Sequence, residues 1–296
     1  MGKKWLILDC NYLCHRAKYA TPDFSYGGSP TGVIYGFLRF LPMLQEELIS
    51  ERLVFCWDSR TNKRYNLLPE YKAHRRAHKD EMTAEEIRFE KMFRAQMRLL
   101  RQKYLPLIGF SNVFVQKGME SDDLIASICK NSLGEDDYAV IVSSDHDLYQ
   151  LLCPEVSMYD PIKRELFTWK DFRKQYHISP RHFAKVKALA GCTTDNVPGI
   201  QGVGEITACK YLRGVLSTTS KIYAKIEDEK HEVMKRNRKL VQLPLKGTKV
   251  FPLRPDNLTE KGWQKVVEML GMSSLKDRMP FAITRPPKIK GRTISG

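Results

Sequence analysis

The chain has 296 residues, in which 49 Lys and Arg against 34 Asp and Glu give a formal net charge of +15. A hydrophobic content of 42% with 28% charged residues excludes a largely disordered chain and allows one large domain or two modest ones. No apolar run approaches the roughly 20 residues of a membrane span, so no membrane association is expected, and the positive excess points to a polyanionic partner, most often nucleic acid.

In chain order, Trp5-Leu6-Ile7-Leu8 reads as a buried strand. It is too short for a signal peptide, and Leu6 stands where a myristoylation signal needs Ser or Thr. Residues 32–49 read as a helix, and Leu53–Trp57 as a second strand. Residues 84–105 form a longer helix with Ile87, Met92, Phe93, Leu99 and Leu100 near helical spacing, stopped by Pro106. Val113–Val115 is a third strand, Ser121–Asn131 a helix with Ser121 as its N-cap, and Ala139–Val142 a fourth strand. Short apolar strands alternating with helices predict an α/β fold, a mostly parallel sheet flanked by helices. Met158–Thr168 reads as a hairpin around Pro161. Beyond about residue 170 the strand signal disappears. His177–Gly191 and Glu205–Gly214 read as helices around the turn Pro198-Gly-Ile-Gln-Gly-Val-Gly204, and 216–271 as mostly helical and basic. Ser273–Gly296, with six Lys/Arg, one Asp and three Pro, reads as a mobile basic tail.

The seven cysteines (10, 14, 56, 129, 153, 192, 209) form no C-x-x-C pair and no Cys/His cluster. They read as small buried hydrophobes of a reducing, cytoplasmic compartment.

Three predicted strands finish in Asp: Asp9, Asp58 and Asp145. Ligands of open α/β sheets bind at the carboxyl ends of the strands. Glu120, Asp122 and Asp123 open the helix after the third strand and reach the same edge, as does Asp147. Taken singly, each acid serves equally well as a turn residue, a helix cap or a partner of a helix dipole. Together they would repel unless a cation neutralised them, and an oxygen-only set with no accompanying His or Cys suits Mg²⁺ or Mn²⁺. Paired divalent ions are a standard route to phosphodiester hydrolysis.

Between Arg60 and Lys79 there are seven Lys/Arg and one acid, Glu70, with Tyr65 and Tyr71 interleaved. The segment is either a solvated basic face or a phosphate-binding segment in which Lys72 and Arg75 reach the scissile phosphate. Arg16 is expected near the start of the next helix, facing the same edge. Gly199, Gly202 and Gly204, followed by a helix, resemble a helix-hairpin-helix turn whose backbone amides approach a DNA phosphate; an ordinary tight turn is the alternative.

Five motifs occur in order: Asp9, Leu68-Pro-Glu-Tyr-Lys-Ala-His-Arg75, Glu120-Ser-Asp-Asp123, Ser143-Ser-Asp-His-Asp147 and Asp195-Asn-Val-Pro-Gly-Ile-Gln-Gly-Val-Gly204. Over about residues 3–270 the chain resembles the flap endonuclease-type 5′-nucleases, which include the N-terminal nuclease domain of bacterial DNA polymerase I and stand-alone phage exonucleases. The resemblance implies a PIN-like nuclease domain over 1–170 with a helical arch at about 60–105. It further implies a DNA-binding region over 171–272 built on a helix-three-turn-helix, and leaves 273–296 as the basic tail. The implied activity is 5′–3′ exonucleolytic and flap-endonucleolytic cleavage of branched or flapped DNA and RNA-primed DNA during replication or repair. Two Mg²⁺ ions would serve it, with Mn²⁺ as substitute and K⁺ at the glycine turn. The protein would be a monomer of a bacterial or phage-encoded cytoplasm, with replication proteins as partners.

By position, Asp9, Asp58, Glu120, Asp122, Asp123, Asp145 and Asp147 match the family's metal ligands. Lys72 and Arg75 match basic residues at the base of the arch, Tyr71 a base-stacking aromatic there, and Arg16 a basic residue beside the scissile phosphate. Two positions depart from the pattern. The family's Gly-Asp-x-x-Asp-Asn reads Gly191-Cys192-Thr-Thr-Asp195-Asn196, so Cys192 replaces a second-site Asp, and Asp195 is the candidate replacement ligand, direct or through water. Ile206 stands where many members carry Lys. The competing readings are a structure-specific DNA-binding protein with weakened nuclease activity, because Cys192 replaces a ligand, and an unrelated PIN-like ribonuclease that leaves the glycine turn without a role.

Overall fold

In a computed structural model the chain is described over residues 2–21, 24–50 and 52–280. The first strand, β1 (Lys4–Asp9), runs into α1 (Cys10–Ala20). A two-residue ladder, β2 (Ser25–Tyr26) with β3 (Ser29–Pro30), leads to α2 (Gly32–Leu48) and then β4 (Arg52–Trp57). The segment expected as the arch holds α3 (Ala73–Asp80) and α4 (Ala84–Leu99). After α4 come one wide helical turn, Leu100–Tyr104, and α5 (Leu105–Ile108). Next are β5 (Val113–Val115), α6 (Ser121–Asn131), β6 (Tyr138–Val142), β7 (Val156–Asp160) and β8 (Glu165–Phe167). The remainder holds α7 (Trp169–Tyr176), α8 (Phe183–Ala190), a ladder of β9 (Gly191–Cys192) with β10 (Val197–Pro198), α9 (Glu205–Leu212), α10 (Lys221–Val241) and α11 (Glu260–Met269).

The main sheet has the order β5-β4-β1-β6-β7-β8, parallel except for the β7–β8 hairpin. Side chains alternate across it. Trp5, Ile7, Val54, Cys56, Ala139 and Ile141 join one core cluster, whereas Leu6, Leu8, Leu53, Phe55, Trp57, Val140 and Val142 join another. Both faces are therefore buried, which explains why these strands read as continuous apolar runs. Phe172, Phe183, Val186, Ile226 and Val233 join the first cluster, so the region after residue 170 shares a core with the sheet. Trp263, Val266 and Val267 of α11 join the second, on the opposite face.

Three boundary expectations are corrected. Pro106 does not stop the helix: it sits in the first turn of α5, where a missing N–H is tolerated, and Gly109 at φ 111° closes the segment. The N-cap of α6 is Glu120 in a capping box with Asp123, not Ser121. The expected helix His177–Gly191 is shorter, because His177 caps α7 and regular helix resumes only at Phe183. Part of the span expected as a basic tail, 273–280, is described and packs on α11. Leu275 is buried, and its carbonyl accepts the Trp263 indole N–H at 2.9 Å; residues 281–296 lie outside the described residues. No described helix is long and apolar enough to cross a membrane.

Candidate metal centre and nucleic-acid interface

Parallel pairing sets the carboxyl ends of β1, β4 and β6 side by side, with Asp9 opposite Cys56 and Leu8 opposite Val142. Asp9 ends β1, Asp58 follows β4, and Asp145 follows β6 by three residues. The Asp9 carboxylate is buried and held by three donors: the Tyr12 amide at 3.2 Å, Ser121 Oγ at 3.2 Å and Ser143 Oγ at 3.0 Å. Asp58 accepts the Ser121 amide at 2.7 Å and donates its own amide to Asn11 Oδ1 at 3.0 Å. Asp145 accepts the Asp147 amide at 2.8 Å.

These carboxylates carry the electrostatic signature of a cation site. Burial and then Asp58 push Asp9 up to about 7. Burial and then Asp147 push Asp145 up to about 6, although its side chain opens to solvent at the mouth. Asp122 is raised by burial, Asp145 and Asp9, and Asp58 by burial and Glu120. Crowded, partly desolvated carboxylates disfavour their own ionisation, and a divalent cation relieves that strain. Asp9, Asp58, Asp122 and Asp145 offer only oxygen, the donor type of a hard ion such as Mg²⁺ or Mn²⁺, whereas the group among the described residues whose donor atoms lie within 4.8 Å of one another is Asp147, Cys192 and Asp195.

Glu120 differs from its neighbours. Burial raises its pKa, but Lys72 and Arg64 outweigh that and leave it lowered. Lys72, held at φ 52°, pairs with Glu120 and lies 3.8 Å from Asp195. The Lys72 amide also donates to the Asp195 carbonyl at 2.9 Å, tying the start of the arch segment to the 192–195 loop. Arg75 lies 3.5 Å from Asp195 on an exposed face of α3.

Three sequence-based placements are corrected. Asp123 does not face the ion site: it is fully buried and accepts two hydrogen bonds from Arg64, at 2.7 and 2.8 Å, and one from the Leu245 amide at 2.8 Å. Tyr71 is not an exposed stacking ring. It is 3% exposed, packs with Ala188, Val197, Leu240 and Val241, and its hydroxyl lies 2.9 Å from both Glu120 and Asp195, which share its single proton. Arg16 sits in the second turn of α1 rather than at its start, with its guanidinium over the Phe40 ring, 4.8 Å from the centroid.

Arg64 and Lys187 carry roles that the sequence reading did not assign. Arg64 belongs to the basic 60–79 segment, yet it is 2% exposed, with Nε donating to the Leu240 carbonyl at 2.8 Å. Lys187 of α8 bridges Asp147 at 2.8 Å and Glu205 at 2.9 Å, joining the acid cluster to the first turn of α9. Ser121 and Ser143 lie inside the acidic motifs, so their hydroxyls were the legible part of this second layer.

The glycine turn connects α8 to α9. Gly199 is required by packing, since a Cβ there would lie 2.2 Å from the Ala190 carbonyl carbon and oxygen, and Gly202 needs its positive φ of 84°. Gly204 is different: a Cβ there would meet open space just before α9. Ile206, one residue into α9, is 71% exposed.

Residues 4–177 match the family model described as the 5′-3′ exonuclease N-terminal resolvase-like domain. The chain is a member of the 5′–3′ exonuclease family. Among its relatives, the 5′-3′ exonuclease of Aquifex aeolicus is 30% identical over 249 residues, covering 81% of this chain and 82% of the relative. DNA polymerase I of Mycobacterium tuberculosis H37Rv is 31% identical over 300 residues, covering 93% of this chain. This family member spans only 31% of that polymerase's length. Among solved structures, a bacteriophage T5 flap endonuclease in complex with DNA and metal ions superposes with a TM-score of 0.65 at 20% identity, covering 93% of this chain and 97% of that one. The α/β fold with a mostly parallel sheet flanked by helices is thus the fold of that nuclease group.

Proposed function

We propose that this chain is a divalent-metal-dependent, structure-specific 5′-nuclease, hydrolysing phosphodiesters in flapped or branched DNA and RNA-primed DNA. The observation that carries the reading is the convergence of Asp9, Asp58, Asp122 and Asp145 on one sheet edge, with two of them pushed up to about 7 and about 6 by burial and mutual repulsion. These four would hold one Mg²⁺, with Asp147 and Asp195 facing a second ion, and Mn²⁺ would substitute. Bound divalent ions supply an activated water and neutralise charge on the phosphate.

The chain's own residues set the rest. Ser121 and Ser143 fix the Asp9 carboxylate, and Asn11 fixes the backbone at Asp58. Lys72 and Arg75 hold positive charge beside the acids, where a scissile phosphate gains a cationic neighbour once Glu120 and Asp195 turn to ions. The open space at Gly204 and the start of α9 admit a phosphate of the duplex backbone, independent of base sequence. The T5 flap endonuclease was solved with DNA and metal ions, which supports DNA as the substrate class here.

A second reading has one observation in its favour: Cys192 stands beside Asp147 and Asp195, and Lys187 already neutralises Asp147, so the second ion would be weakly held and cleavage slow. Cleavage of a 5′-flap by wild type and Cys192→Asp in Mg²⁺ separates the two. A wild type as active as Cys192→Asp supports the nuclease reading, whereas a silent wild type with an active Cys192→Asp supports the DNA-binding one.

A further inference from the structure

The donor set around Asp147 differs in chemistry from the one around Asp9. Asp147 and Asp195 each offer a carboxylate oxygen and Cys192 its sulfur, and the three donor atoms lie within 4.8 Å of one another. A tetrahedral ion with bonds of about 2.0–2.3 Å holds its donors roughly 3.3–3.8 Å apart, so side-chain rotations that draw the three donors together by up to about 1.5 Å would bring them onto one ion. The frame is well braced. Cys192 pairs with Val197 across the β9–β10 ladder, and Asp195 lies in the short turn between those strands. Asp147 is held from the other side by Lys187. Cys192 Sγ shares a hydrogen bond with Thr194 Oγ1 at 3.1 Å, a weak contact that coordination readily replaces.

Charge also separates the two positions. Lys187 offsets Asp147, and Lys72 and Arg75 lie against Asp195. A hard ion depends on net ligand charge and on oxygen donors, and this group supplies less of both. A thiolate compensates only for an ion with an affinity for sulfur. We propose that Asp147, Cys192 and Asp195 form a mixed thiolate–carboxylate site for a thiophilic divalent ion, of the Zn²⁺, Co²⁺ and Cd²⁺ class, separate from the hard-ion site at Asp9. Coordination breaks the Cys192 S–H bond and forms a sulfur–metal bond, with the proton released to solvent. The inference rests on the nuclease reading only for its consequence, that the ion bound here sets how much cleavage Mg²⁺ alone supports.

The test is a Co²⁺ titration of the reduced full chain, followed by absorption. A near-ultraviolet thiolate-to-cobalt charge-transfer band is expected, saturating at one equivalent. It should vanish in Cys192→Ser, with Co²⁺ bound at this site on the order of tenfold or more weakly. A wild type without the band, or a band that persists in a folded Cys192→Ser, overturns the proposal. A second readout needs no variant: saturating Zn²⁺ should slow iodoacetamide labelling of Cys192, mapped by mass spectrometry, by on the order of tenfold or more. Equal labelling with and without Zn²⁺ overturns it as well. Flap cleavage in Mg²⁺ on the same preparations keeps the two claims apart. Cleavage without the band sinks the mixed site alone, and the band without cleavage in Mg²⁺, in Mn²⁺ or in Mg²⁺ with one equivalent of Co²⁺ sinks the nuclease reading alone.

Discussion

Replacing Asp123 by Ala separates a structural acid from the acids proposed to hold the ions. In the native chain the Asp123 carboxylate is fully buried and neutralises Arg64, itself 2% exposed, through two short hydrogen bonds. Removing one partner of a buried, hydrogen-bonded ion pair costs about 3–5 kcal/mol, because the other charge is left without compensation. The substitution also orphans the Leu245 amide, a loss of about 1–3 kcal/mol. Arg64 keeps the Leu240 carbonyl and Glu120, at 3.2 Å, as partners, which offsets part of the loss, and we take about 4 kcal/mol as the net cost. For a chain of this length an unfolding entropy of about 0.6 kcal/mol per kelvin converts that to a fall in Tm of about 6 °C. Urea denaturation and a thermal melt in EDTA measure it directly. Asp123→Ala together with Arg64→Met should recover much of the loss, since no buried charge then lacks a partner. A fall in Tm below about 1 °C, with metal affinity lost instead, would refute the assignment and return Asp123 to the ion site.

Three further outcomes follow from the same geometry. Asp9 is raised from an ordinary value near 4 to about 7, so the folded, metal-free chain keeps a proton there that the unfolded chain gives up between about pH 4 and 7. Its contribution to stability is present below that window and lost as pH rises through it, at most about 4 kcal/mol. Metal-free Tm should therefore fall from pH 5.5 to pH 8, and the gain in Tm on adding Mg²⁺ should grow over that range; a gain independent of pH would count against Asp9 as a ligand. Tyr71→Phe should cost about 1–3 kcal/mol of stability by removing a buried hydroxyl shared by two carboxylates, with DNA affinity within about twofold, and an unchanged Tm would contradict the buried, hydrogen-bonded placement. Lys72→Ala should slow single-turnover cleavage more than it weakens DNA binding, and an unchanged rate would remove Lys72 from the chemistry.

The four strands and the convergence of acids on their carboxyl ends were legible because a doubly covered parallel sheet writes itself as apolar runs ending in polar residues. What stayed hidden depended on direction and on distant chain. Asp122 and Asp123 are neighbours in sequence, but successive helical residues point about 100° apart, so one turns to Asp145 and Asp9 and the other to Arg64. Tyr71 lies in a basic stretch that reads as a DNA surface, and Ala188, Val197, Leu240 and Val241, all more than 100 residues away, convert its ring into core. Lys187 was one cation among many on a helix until folding set it between Asp147 and Glu205. Cys192 was visible as a departure from the family pattern, and the fold adds its proximity to two carboxylates.

The central claim is that the acids at the sheet edge hold divalent ions that cleave DNA. Its most direct measurement is cleavage of a 5′-end-labelled flap substrate by wild type and Asp145→Asn, in Mg²⁺ and in EDTA, with binding to the same substrate measured in parallel. The account predicts products near the flap junction for wild type in Mg²⁺, none in EDTA, and none from Asp145→Asn although it still binds the substrate. Cleavage by wild type in EDTA, or substantial cleavage by Asp145→Asn in Mg²⁺, would contradict it.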